Sequence, residues 1–380
     1  MATTKRKVVA SDEPVITRRS SAAKKTAPTD ALPVKRRRTV AHDEESTGAS
    51  NYFADVSQKS GLQFIRSGSA VMDCALGGGW VLGRIANIVG DRSAGKTLLA
   101  IEACANFNHA YPNGKIRYAE SESAFDEKYA EALGMPIEAV DFGHDVEMRT
   151  VEDWYKDIVN FLDAREKDKA PGLYILDSFD ALSDDAEMGR EIDKGSFGAG
   201  KAKKSGELFR KLVERIESLN VLLIVVSQIR DKLNVTFGET KTRSGGRALD
   251  FYCSHIVWLA EIGKIKKTIG GVDRVIGVNV KVNVKKNKVG LPFRTCEYPI
   301  IFGYGIDDLT AGVEWLLEVG REELLKEHLS MSKAGYKVRI ANLRDKGGED
   351  VREVRTTLTD LVKQEWQKIE QSFLPKSRKY

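Results

Sequence analysis

The sequence predicts an α/β protein with a mostly parallel central sheet flanked by helices, followed by a small α+β C-terminal domain. Three observations predict it. Gly90-Asp91-Arg92-Ser93-Ala94-Gly95-Lys96-Thr97 is a glycine-rich loop between an apolar run at 84–89 and a Leu- and Ala-rich stretch at 98–105. Leu173-Tyr-Ile-Leu176 and residues 221–226 are continuous apolar runs, as strands buried on both faces of a parallel sheet require. Helical stretches separate these runs, so strand and helix alternate along the chain.

In chain order, residues 1–50 come first. They hold 11 Lys and Arg against 6 Asp and Glu, which leaves 49 of each sign in the remaining residues. The clusters Lys5-Arg6-Lys7 and Lys35-Arg36-Arg37-Arg38 sit among Ser, Thr, Ala and Pro, with too little apolar surface to offset the entropy of ordering. A disordered basic tail is expected; it fits nucleic-acid contact, a nuclear-type address or a solvated segment. Residues 51–66 form a short amphipathic connector, a possible oligomerisation segment. The core is expected over 67–306. A capped helix lies at 67–76, where Ser69 precedes an apolar run. The strand feeding the glycine-rich loop and the helix after it come next, then a strand at 115–119 and a helix at 126–133. A long helix falls at 206–219, between the two apolar strands. Residues 256–262, 276–285 and 293–302 read as consecutive strands that extend the sheet with a mixed edge. Residues 307–380 make the C-terminal domain, with helices at 313–319, 321–329 and 358–373.

At 380 residues, with 42% hydrophobic and 30% charged residues, the chain can bury a sizeable core. No run approaches the roughly 18 apolar residues of a membrane helix, and no apolar leader stands at the N-terminus. Cys74, Cys104, Cys253 and Cys296 are scattered, which argues against a zinc site or a disulfide framework. The expectation is a cytoplasmic protein with no membrane partner.

The glycine-rich loop is an anion cradle. Backbone N–H groups turned inward and a helix N-terminus both favour phosphate oxygens. Gly90 and Gly95 allow the tight path, Lys96 reaches the β- and γ-phosphates, and Thr97 holds Mg²⁺; Leu98 follows at the helix start. Asp177, at a strand end, suits the magnesium shell. Glu120 and Glu122 end another strand, and a carboxylate there can activate a water; alternate residues of a strand face opposite ways, so only one points into the site. Gln228 closes a third strand and suits sensing of the γ-phosphate. Two polar stretches are basic and glycine-rich: 189–204, with Lys194, Lys201, Lys203 and Lys204, and 229–246, with Arg230, Lys232, Lys241, Arg243, Gly245 and Gly246. Together with Arg210 they suit contacts with a nucleic-acid backbone.

The order of these pieces resembles the RecA recombinase family, including its phage members, over about 67–325. The resemblance rests on Ser67-Gly-Ser, Leu76-Gly, Gly83-Arg-Ile, the phosphate loop, Glu122-x-Ala-x-Asp126-x-x-Tyr129-Ala, Leu176-Asp-Ser178, Gln228-Ile-Arg230, Gly245-Gly-x-Ala-Leu-x-Phe251-Tyr252, Lys286-Asn-Lys288 and Phe302-Gly-Tyr-Gly-Ile306. It implies a RecA-like P-loop ATPase core using ATP and Mg²⁺, a homo-oligomeric helical filament on single-stranded DNA, homologous pairing with double-stranded DNA, and single-strand-binding and mediator proteins as partners. By position, Glu122 matches the water-activating glutamate, Asp126 and Tyr129 the adenine contacts, and Lys286 and Lys288 a pair that reaches the next subunit's γ-phosphate. Phe251 lies at the same subunit-spanning surface, and Leu233 matches an aliphatic residue inserted between bases. The chain departs from the family in lacking a clear N-terminal polymerisation helix, in a Lys- and Gly-rich first DNA loop, and in the basic ending Pro375-Lys-Ser-Arg-Lys-Tyr380. The rival readings are a ring helicase or branch-migration ATPase on the same core, and a non-catalytic recombinase mediator.

Overall fold

The computed structural model describes residues 61–189, 199–231, 241–243, 246–375 and 377. The basic tail over 1–50, most of the connector, and Lys194, Lys232, Leu233 and Gly245 lie outside the described residues.

The described chain opens with β1 (Phe64–Ile65), α1 (Ala70–Leu76) and β2 (Trp80–Val81), β1 and β2 pairing as a small separate ribbon. Ser69 stands at the N-cap of α1 without a side-chain cap bond; instead Asp73 Oδ1 accepts the Ser67 N–H at 2.7 Å and holds the entry turn. Then come β3 (Ile85–Gly90), α2 (Lys96–Ala110), β4 (Lys115–Glu120), α3 (Glu127–Ala132) and β5 (Val140–Asp141). A helix the apolar pattern did not single out, α4 (Val151–Asp168), opens on a reciprocal cap in which Thr150 Oγ1 and the Asp153 carboxylate each accept the other's backbone N–H at 3.1 Å. After it come β6 (Gly172–Asp177), α5 (Asp185–Met188), α6 (Ala199–Ser218), β7 (Val221–Asp231), β8 (Lys241–Arg243) and α7 (Gly246–Tyr252). The strands β9 (His255–Ile269), β10 (Val272–Asn287), β11 (Thr295–Ile301) and β12 (Gly305–Ile306) follow in succession. The helices α8 (Asp308–Glu318), α9 (Glu322–Leu329), α10 (Tyr336–Lys346) and α11 (Glu349–Phe373) close the chain.

The main sheet has the order β12-β11-β10-β9-β3-β7-β6-β4-β5, with β8 against β7. From β9 to β5 neighbouring strands run parallel, and from β12 to β9 antiparallel. The expected parallel centre with a mixed edge is therefore present. The two-residue period of each strand sorts its side chains between two cores. Leu173 and Ile175 of β6 join Ile88, Ile224 and the α2 residues Leu99 and Phe107 on one face. Tyr174 and Leu176 join Val89, Leu223, Trp154 of α4 and Phe209 of α6 on the other.

One buried charge network ties α4 to the strands that carry the site. Arg117 of β4, only 5% exposed at its side chain, donates to Asp157 through Nε at 3.0 Å and Nη2 at 2.5 Å, and to Asp141 through Nη1 at 2.7 Å. The Tyr174 hydroxyl also donates to Asp157, at 2.6 Å. Removing one member leaves a charge buried without its partner, so Asp157→Ala is expected to cost about 3–5 kcal/mol of stability. Denaturant unfolding at neutral pH measures it.

The C-terminal region corrects the expected α+β character: residues 308–373 form helices and no strand among the described residues. Residues 330–348 offer too few apolar positions to display a helical period, yet α10 forms there, anchored by Tyr336 and Ile340. Leu309, Val313, Leu316, Leu325, Leu358 and Val362 belong to the same core as α2 and β10, so these helices pack directly on the sheet's first face.

Candidate functional site

The loop after β3 and the start of α2 form the centre of the site. Gly95 has φ of +85°, and a Cβ there would lie 2.5 Å from Ile300 Cδ1, so only glycine fits the turn into the helix. The loop therefore leads straight into the N-terminus of a 15-residue helix. Lys96 Nζ donates to the Asp91 backbone oxygen at 2.9 Å, which holds it across the loop. Burial pushes the Lys96 ammonium pKa down, opposed by Asp177, Glu122, Asp91 and Asp180 around it.

Thr97 and Asp177 come together, as their residue types require of a magnesium pair: Thr97 Oγ1 donates to Asp177 Oδ2 at 2.9 Å. The Tyr118 hydroxyl donates to the same oxygen at 2.8 Å. Burial raises the Asp177 pKa despite both hydroxyl donors. The Asp177 carboxylate is withdrawn from water beside two neutral donors, with Lys96 as the cation near it. With Thr97 it makes the oxygen set that Mg²⁺ takes together with phosphate and water, so the residues fit the ion.

The strand-end acids divide their work. Glu120 accepts the backbone N–H groups of Glu122 (2.9 Å), Ser123 (2.9 Å) and Ala124 (3.1 Å), and so shapes the turn after β4. Glu122 is exposed above that turn. Its Oε1 accepts from Gln228 Nε2 at 2.9 Å and from the Ser178 hydroxyl. The ends of β4, β6 and β7 are thereby joined at one carboxylate.

Asp180 was missed by sequence reasoning. Its side chain is 6% exposed; Oδ2 accepts the Gln228 backbone N–H at 2.7 Å and Oδ1 accepts Arg230 Nε at 3.2 Å. It fixes where β7 leaves the sheet and where the expected second DNA loop begins. The only signal was a second acid three residues after Asp177.

A cleft of ≈ 370 Å³ runs from Ser93, Gly95, Lys96, Thr97 and Leu98 to Asp126 and Tyr129. Its volume suits a nucleotide. Asp126 caps α3 by accepting the Tyr129 N–H at 3.0 Å, and this stands the half-exposed Tyr129 ring at the cleft's far end. The proposed base contacts and the phosphate loop thus share one cleft. Phe251 does not join them: it is 69% exposed at the end of α7.

Lys286 and Lys288 lie with Phe251. Lys288 Nζ donates to the Phe251 backbone oxygen at 3.1 Å and lies 5.9 Å from its ring centroid; Lys286 Nζ donates to the same oxygen at 3.1 Å and also to that of Asp250. Burial lowers the Lys286 pKa, and the neighbouring Lys288 lowers it further. Lys286 pairs with Ile256, Ile256 pairs with Asn87, and Gly90 is three residues further along. The pair is therefore about 10 Å along the strands and about 10 Å across them from its own phosphate loop.

The expected DNA residues separate. The first basic stretch is not all loop: α6 begins at Ala199, so Lys201, Lys203 and Lys204 are helical, as is Arg210. Glycines at 200 and 206 hid that start. Lys201 is turned inward, donating to the backbone oxygens of Phe179 (2.8 Å) and Leu182, with Nζ 4.7 Å from the Phe179 ring centroid. Lys204 is paired with Glu152. Arg243 has a side chain 6% exposed and donates to Asp250 at 2.7 Å, so it braces α7 instead of facing solvent. Lys203, Arg210, Arg230 and Lys241 are exposed, and Gly246 starts α7. No described helix is long and apolar enough to cross a membrane.

A phosphate loop that opens a helix at the carboxyl edge of a parallel sheet, beside a strand-end aspartate, defines the class of P-loop nucleotide-binding proteins. Within that class the RecA N-terminal domain model matches residues 44–307. Protein RecA of Colwellia psychrerythraea is 31% identical over 314 residues, covering 79% of this chain and 84% of that protein. Protein RecA of Chlamydia trachomatis is 33% identical over 282 residues, covering 73% and 76%. The chain belongs to the RecA family, as its motifs led us to expect, and so to the proteins of DNA recombination and repair.

Proposed function

We propose that the protein is an ATP-dependent recombinase that polymerises on single-stranded DNA, pairs it with a homologous duplex and exchanges strands. One observation carries this reading: the exposed Lys288 and Phe251, with the half-buried Lys286, form a cationic and aromatic knuckle too far from their own chain's phosphate loop to serve it. Such a knuckle completes a site on the next copy, which makes the contact head-to-tail, and the assembly is helical when the rotation between copies does not close a ring. Thr97 and Asp177 would hold Mg²⁺, which would neutralise the oxygens of the phosphoanhydride that ATP would bring to the site.

Around that site each side chain has a distinct task. Lys96 and the loop N–H groups hold phosphate oxygens. Glu122 orients a water and accepts its proton. Gln228 reads the same position and moves β7, with Asp180 and Arg230 coupled to it. The exposed Lys203, Arg210, Arg230 and Lys241 contact DNA phosphates. Nucleotide state and DNA grip are then linked through one strand.

Electron microscopy with single-stranded DNA and a slowly hydrolysed ATP analogue, together with ATPase assays with and without DNA, tests this. DNA-stimulated hydrolysis and helical filaments are expected. Closed rings would overturn it in favour of a ring helicase, and isolated particles with little turnover in favour of a mediator.

A further inference from the structure

The β9–β10 pair outruns its neighbours. β3 pairs with β9 only as far as Leu259, opposite Gly90, and β11 pairs with β10 only from Gly277. Beyond them Lys266–Ile269 and Val272–Val275 continue as a two-stranded ribbon, and all eight residues are exposed. The sequence pattern did not reveal this extension, because its few aliphatic residues stand among polar and basic ones and pack on no core. The chain reverses at Gly270 (φ +59°) and Gly271 (φ +78°), a two-residue turn that only paired positive φ values allow.

Two features of the ribbon lack a use within the chain. At its tip, Ile269 and Val272 face each other, 66% and 47% exposed. An isolated hairpin is marginal in water, and two aliphatic residues at its end add nothing to its own fold. Below them Lys267 and Arg274 form a cross-strand pair on the same face. The opposite face carries Lys264 and Lys266, with Thr268 donating to Asp273 at 2.6 Å. Residues 262–276 thus hold four cations and one carboxylate, in a chain whose residues after 50 are balanced in charge. That surplus favours a polyanion over a second copy of the chain. The ribbon also springs from the sheet edge at which Gly90 starts the phosphate loop and β7 runs on to pair with β8.

Resting on the recombinase reading, we propose that the ribbon is an arm that enters a groove of double-stranded DNA. Lys264, Lys266, Lys267 and Arg274 contact phosphates, and Ile269 with Val272 wedges a base step open. A major groove about 12 Å wide admits a two-stranded ribbon. Aliphatic side chains inserted between base steps unstack them in other DNA-bending proteins. An arm of this kind would loosen the duplex whose strand is to be exchanged.

The test uses the full-length protein and a short duplex carrying 2-aminopurine at its central step. The parent is expected to raise 2-aminopurine fluorescence. Ile269→Ser combined with Val272→Ser should abolish that rise while changing duplex affinity less than about threefold, because phosphate contacts dominate binding. Lys267→Ala combined with Arg274→Ala should reduce the log–log salt slope of duplex binding by about 1.8, two phosphate contacts at roughly 0.9 each. Both variants should keep the parent's single-strand-stimulated ATP hydrolysis. An unchanged fluorescence rise and an unchanged slope would overturn the proposal. Weakened self-assembly of both variants without DNA would also overturn it, by assigning the ribbon to a second copy. Failure of the parent to hydrolyse ATP with single-stranded DNA would count against the recombinase reading alone, since duplex binding is read without hydrolysis.

Discussion

A Glu122→Gln protein is expected to lose about 10²- to 10⁴-fold in ATP hydrolysis while still binding nucleotide and assembling on DNA. Glu122 Oε1 accepts from Gln228 Nε2 at 2.9 Å and from the Ser178 hydroxyl. A glutamine amide oxygen has two lone pairs and accepts both bonds, though without the charge that strengthens them, so the joint between β4, β6 and β7 survives. What disappears is the negative charge and with it the capacity to take a proton from water. Nucleotide binding should hold, because the phosphate loop and Thr97 are untouched, and Glu122 is among the charges that raise the pKa of buried Asp177. Single-turnover hydrolysis set beside nucleotide affinity separates the two effects. Parental turnover in the variant would refute the assignment of the base.

The second large effect is complementation. Lys286→Ala combined with Lys288→Ala should be as inactive in hydrolysis as Glu122→Gln, for a different reason: each chain keeps its own phosphate loop and Glu122 and fails to complete its neighbour's site. Mixing the two inactive proteins should therefore restore activity. In a head-to-tail assembly with random order, about a quarter of the interfaces join an intact Glu122 to an intact lysine pair, so about a quarter of parental activity is expected. No recovery would mean that Lys286 and Lys288 act within their own chain or not at all. The distance from Lys286 to its own Gly90, three residues along and two strands across, makes the first of these physically difficult.

Much of the core was legible because its signals are local. β3 and β6 are six-residue strands buried throughout and apolar but for Asn87 and Asp177, and no surface helix or loop imitates that pattern. The phosphate loop was legible because Gly95, Lys96 and Thr97 must be adjacent in sequence to be adjacent in space. The α4 helix was harder to see. It carries its apolar stripe of Val151, Trp154, Ile158 and Leu162 among nine charged residues over 18 positions, and a buried arginine and aspartate occupy its inner face. The basic start of α6 read as loop because glycine at 200 and 206 lowers helix propensity; packing of Phe209, Leu212 and Ile216 on the second core outweighs that cost of roughly 1 kcal/mol per glycine.

The sequence by itself determined the P-loop class, the family and the parallel centre of the sheet, and it singled out Lys96, Thr97, Asp177, Glu122 and Gln228 as candidates for the site. Each follows from a short pattern whose chemistry depends on residue type and spacing along the chain. Only the tertiary structure decided which side chains meet. It set Glu120 to shaping a turn and left Glu122 above it. It turned Lys201 and Arg243 inward, disclosed Asp180 beneath Gln228, and carried β9 and β10 beyond the sheet as an arm. These outcomes depend on which strand neighbours which and on how far each continues. A charged side chain reads the same in sequence whether it faces solvent, a helix end or a buried carbonyl.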